Sequence, residues 1–96
     1  MKDIKIKLAH GEIIARICLD FEVSYDDVMS KSKKAELVDA RSVIASVLFQ
    51  LDIPKLTIAR ILRKKDHTTI INYLERLKNK SRLRKMANGY LEIFSK

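Results

Sequence analysis

Ninety-six residues, 47% of them hydrophobic, suffice for one packed core and are too few for two, which excludes a disordered chain and a multidomain one. Two glycines and a single proline leave too few turn formers for a many-stranded sheet and point to an all-α fold of helices joined by short links. The formal charge of +8 is unevenly placed: residues 1–54 sum to −1, whereas residues 55–85 carry eleven Lys/Arg against only Asp66 and Glu75, so one third of the chain holds the whole excess.

In chain order, residues 2–8 alternate polar and apolar without a partner strand, and read either as a loose extension or as the first turns of helix one. The first helix is predicted over residues 10–20, where Ile13, Ile14, Ile17, Cys18 and Phe21 recur at helical spacing. Cys18 is the only cysteine and stands among apolar neighbours, so it reads as a small core residue rather than a nucleophile or metal ligand. Ser24 is the expected N-cap of a short second helix ending at Met29, followed by a basic link with Lys31, Lys33 and Lys34. The third and longest helix is predicted over residues 35–51, with Leu37, Ala40, Ile44, Val47, Leu48 and Leu51 on one buried face. Pro54 separates it from a fourth helix over residues 55–62, with Leu56, Ala59 and Leu62 inward and Arg60 and Arg63 outward. After the turn Arg63-Lys64-Lys65, Asp66 is the expected N-cap of a fifth helix whose buried stripe is Ile70, Ile71, Leu74 and Leu77. A sixth helix over residues 81–94 places Leu83, Met86, Tyr90 and Phe94 on one side and is weakened at Gly89.

Helices four and five are about three residues apart, the arrangement of a helix-turn-helix over residues 55–78. In such a pair the second helix enters the major groove with its first turn at the base edges, and the preceding helix crosses the phosphates. The polar turn Asp66-His67-Thr68-Thr69 stands at the base-reading position, and Arg60, Arg63, Lys64 and Lys65 stand where phosphates run. Advancing about 100° per residue from Ile70 puts Thr68, Asn72, Glu75, Arg76 and Asn79 opposite the apolar stripe. His67 falls near the stripe itself, so it is either a partly buried residue against Ile71 and Leu74 or a base reader reached by end-on insertion. The charge alone does not choose among duplex DNA, RNA, an anionic membrane surface and a merely solvated basic face.

The string Lys65-Asp66-His67-Thr68-Thr69-Ile70 resembles the Arg-Asp-His-Thr-Thr-Val signature of the DNA-binding domain of the bacterial replication initiator DnaA. The similarity extends in order over residues 13–77. Ile13-Ile14 resembles the family's first helix, and residues 21–28 its Phe-x-Val-Ser-x-x-Asp-Leu link. Residues 31–34 resemble its basic loop, and residues 39–45 its Ala-Arg-x-Arg-Gln-x-Ala helix. The resemblance implies a Trp-repressor-like helix-turn-helix domain spanning the chain, in which Asp66, His67 and Thr68 read bases in the major groove. It implies that Lys33 reaches the minor groove, that Arg41 touches a base or the backbone, and that Thr69, Lys64 and Lys65 hold phosphates, with Lys31 and Lys34 in the basic loop beside them. The chain departs from the family where Arg63 and Lys64 replace two glycines, and where Lys33 and Lys65 replace arginines. The turn is expected to change shape if either glycine serves a left-handed backbone. No Gly-rich nucleotide loop is present, since Gly11 and Gly89 are the only glycines.

Sequence-specific binding of double-stranded DNA is therefore expected, in replication initiation or its regulation. The alternatives are a small transcriptional regulator and a basic module for protein or RNA. No catalytic, cofactor or metal site is expected, because His10 and His67 are the only histidines and no carboxylate pair or ligand spacing accompanies them. Neither a small-molecule substrate nor a membrane partner is expected. The start lacks a signal-peptide apolar region and no stretch is long enough to span a bilayer, so the expected location is the cytoplasm. Oligomeric state stays open, a monomer on a single site being one option. Met1 and the uninterrupted pattern favour an independent protein over an excised fragment of an initiator.

Overall fold

The computed structural model describes Lys2–Phe94, with side chains from His10 onward; Met1, used above in favour of an independent protein, lies outside the described residues. Six helices follow one another: α1 (Lys2–Phe21), α2 (Tyr25–Met29), α3 (Ala35–Gln50), α4 (Lys55–Ile61), α5 (His67–Lys78) and α6 (Ser81–Phe94). There is no strand among the described residues, and residues 2–8 are the first turns of α1 rather than an extension. None of these helices is long and apolar enough to cross a membrane.

α3 is the axis of the fold and packs against each of the other five helices. Its burial exceeds the single face expected from its stripe. Leu37 and every residue from Asp39 to Leu48 are buried, so the helix is enclosed on all sides over its middle. The small residues Ala40, Ser42, Ala45 and Ser46 make that possible, because they let neighbouring helices approach the flanks between the large stripe residues. Ile13, Ile14, Ile17 and Cys18 of α1, Ile70, Tyr73 and Leu77 of α5, and Leu83, Ala87 and Tyr90 of α6 complete one continuous core.

α4 departs from the expected pattern. Leu56 is 59% exposed, while Ile58, Ala59 and Leu62 are buried. At about 100° per residue the Ile58–Ala59–Leu62 stripe centres more than about 110° from Leu56, which a seven-residue helix cannot also bury.

Three helices end in the same way without glycine. The residue after the C-cap is left-handed at Glu22 (φ 57°), Asp52 (φ 70°) and Arg63 (φ 58°). The next amide reaches back to the last turn in each case: Val23 to the Cys18 carbonyl, Ile53 to Leu48 and Lys64 to Ala59. These are Schellman-type closures, usually given to glycine because the Cβ crowds the following carbonyl. After α1 and α3 the following residue is apolar and half-buried (Val23, Ile53), which anchors the closure in the core. After α4 it is Lys64.

Candidate nucleic-acid interface

α5 opens as its sequence demands. Asp66 is extended, and its side chain accepts a hydrogen bond from the Thr68 amide at 3.0 Å, satisfying one of the free donors of the first turn. In the turn before it Arg63, at the position of the first family glycine, is left-handed, a conformation that strains a residue bearing a side chain. Lys64, in place of the second glycine, needs no positive φ.

Asp66, His67 and Thr68 are all exposed and Thr69 is half-buried. His67 faces solvent despite its azimuth, because the first turn of α5 projects beyond the edge of the core that covers Ile70, Tyr73 and Leu77. Arg60, Arg63 and Lys65 are exposed, and Lys64 is half-buried. Lys31, Lys33, Lys64, Lys65 and Thr69 line one notch between the basic loop and α5, together with Tyr73. Among the described residues no carboxylate lines that notch.

Arg41 is a correction. Expected at the DNA, it is 2% exposed. Its Nε donates to the Val28 carbonyl (2.7 Å), Nη1 to Ser32 (2.6 Å), and Nη2 to Asp27 (3.0 Å) and Ser30 (2.9 Å). The guanidinium thereby satisfies carbonyls at the end of α2 and pins the first residues of the basic loop. The planar fork suits several diverging carbonyls, as a point-like ammonium would not. Arg41 acts on the surface through the loop it holds.

Lys34 is exposed and lines, instead of this notch, a separate hollow with Glu22, Asp27 and Glu36.

Two features escaped sequence reasoning. Tyr73 is buried at the edge of the notch; its i+3 and i−4 spacing from Ile70 and Leu77 was the available signal. Arg76, read as outward, pairs with Asp39 of α3 at 2.8 Å, and Lys80 joins the same carboxylate at 3.4 Å. No local spacing connects residues 37 and 41 positions apart, so that tie was invisible in the chain.

Electrostatically, the notch is unbalanced. Partial burial lowers the Lys64 pKa, and the nearby Arg41 charge lowers it further. Burial raises that of Tyr73, against the opposing pull of Arg41. Lys64 Nζ donates to the Ser30 carbonyl at 3.2 Å, the same oxygen that accepts from Arg41, so the turn before α5 is tied directly to the basic loop.

A family model described as the bacterial dnaA protein helix-turn-helix matches residues 11–77, from the middle of α1 to the end of α5. No curated protein and no solved structure shows a significant match.

Proposed function

Because the chain belongs to the bacterial DnaA helix-turn-helix family of DNA-binding modules, we propose that it recognises a specific sequence in duplex DNA through the first turn of α5. In this reading the whole chain acts as one DNA-binding domain. Asp66, His67 and Thr68 face base edges in the major groove: a carboxylate accepts from a cytosine amine, and imidazole and threonine donate or accept, the threonine methyl also packing on thymine. Lys33 is directed to the adjacent minor groove. Lys31, Arg60, Arg63, Lys64, Lys65 and Thr69 hold phosphates on either side, providing affinity without sequence information. Arg41 is left out of the contact set because it is buried, and Lys34, exposed in the basic loop, is kept as a backbone contact. The process served is replication initiation or its control, through binding alone.

The observation that carries this reading is the capped, exposed turn Asp66–Thr68 beside a notch lined by lysines and, among the described residues, by no acid. Selection from a random duplex pool, followed by titration against salt, tests it. The expected result is one enriched box, with affinity falling by roughly a thousandfold or more between 50 and 200 mM salt for about six phosphate contacts. Thr68→Ala is expected to relax the preference at one base pair by about 1–3 kcal/mol while leaving the salt slope unchanged. Equal affinity for RNA, or for scrambled duplex at every salt concentration, sinks the proposal.

A further inference from the structure

The notch between the basic loop and α5 concentrates positive charge that no carboxylate among the described residues neutralises. Its volume is about 680 Å³, enough to admit a phosphodiester group. One wall is the loop, with Lys31 and Lys33; the other is the turn before α5 and the helix as far as its middle, with Lys64, Lys65, Thr69 and Tyr73. Arg41 contributes to the lining and is itself almost fully buried. Among the described residues none of these cations forms an ion pair, whereas Arg16, Arg76, Lys78 and Lys80 elsewhere all do.

We infer that this notch seats a single backbone phosphate of the bound duplex, gripped by Lys64 with the Tyr73 and Thr69 hydroxyls, and that this seat locks the basic loop to the recognition helix. The inference rests on the duplex-binding reading and adds to it a defined contact. Arg41, from within α3, and Lys64, from the turn before α5, converge on the Ser30 carbonyl, leaving two like charges close together and partly out of water. Their repulsion is stronger there than in bulk solvent, and an entering anion relieves it. Tyr73 and Thr69 add neutral donors of the kind that commonly fix phosphate oxygens. The seat lies beside the first turn of α5, where the strand bordering the major groove runs when a recognition helix is docked. Lys64 occupies a position that is glycine in the resembling family, so its amine is a contribution of this chain.

Neutralising one phosphate at a time tests the seat. Methylphosphonate is placed at successive positions of a short duplex carrying the selected box, and affinities are measured for the unaltered protein, Lys64→Met, Lys64→Arg and Tyr73→Phe. For the unaltered protein one position should stand out, with affinity reduced about tenfold on neutralisation, the factor expected of one lost charge-assisted contact. In Lys64→Met that position should become no more sensitive than its neighbours, the salt slope should fall by about one, and the other sensitive positions should persist. Lys64→Arg should restore the pattern, and Tyr73→Phe should weaken it partially. Unchanged scans in both Lys64→Met and Tyr73→Phe overturn the seat while leaving DNA recognition standing. Absence of saturable duplex binding by the unaltered protein overturns both. Should Lys64→Met fail to fold, as judged by its thermal melt, Tyr73→Phe and Lys64→Arg decide the matter by the same scan.

Discussion

Arg63 combines two demands that conflict. Its φ of 58° is a conformation in which an L-residue loses roughly 1–2 kcal/mol relative to the right-handed region, while its exposed side chain adds charge beside α5. Glycine would remove the strain but lose more backbone entropy on folding, about 0.5–1 kcal/mol. Arg63→Gly is accordingly expected to stabilise the fold by about 0.5–1 kcal/mol in denaturant melts and at the same time to weaken duplex affinity. Opposite signs in the two measurements would show that the arginine is kept for binding and tolerated by the fold. Glu22 and Asp52 carry the same backbone conformation, at junctions outside the basic face.

The elements that present the interface are short and rely on specific ends. Asp66 serves α5 both as N-cap and as a proposed base contact, and two substitutions separate these roles. Asp66→Ala should reduce stability by about 1 kcal/mol, whereas Asp66→Asn, an equally good cap, should leave the melt nearly unchanged yet alter the selected box. The basic loop has no core of its own and is shaped by the Arg41 bonds to carbonyls of residues 27–32. Arg41→Ala takes the guanidinium donor from the Val28 and Ser32 carbonyls, while Asp27 and Ser30 keep the Ser30 and Lys64 donors, so a loss of at least about 2 kcal/mol is expected in thermal or denaturant unfolding. A melt within 1 kcal/mol of the unaltered protein would show, to that order, that the loop holds its shape without the guanidinium. The chain foreshadowed α5 well, since its cap, stripe and length are local properties. It misassigned Arg41, because a buried and a DNA-facing arginine on a mid-chain helix have the same local spacing.

Across the whole molecule, α1 and α6 are joined by Tyr90, whose hydroxyl donates to Asp20 Oδ2 at 2.5 Å. Burial, then the hydrogen bond and charge of Asp20, push the Tyr90 phenol well above its ordinary value. The neutral phenol is thus favoured by folding. Its contribution is complete below the unfolded tyrosine pKa of about 10 and declines as pH rises above it. Unfolding free energy measured from pH 8 to 11 should fall more steeply for the unaltered protein than for Tyr90→Phe, and parallel curves would refute the assignment. Cys18 and Tyr73, also raised by burial, contribute to both curves alike.

Helix positions, the Asp66 cap, the tight link before α5 and the confinement of positive charge to residues 55–85 were determined by the chain itself, because capping and helical periodicity act within about four residues. The exposure of His67, the interior place of Arg41 and the meeting of Lys64 with Ser30 were decided only by tertiary packing. Each depends on how elements far apart in sequence are rotated about α3, and that rotation is set by which side chains fill the shared core.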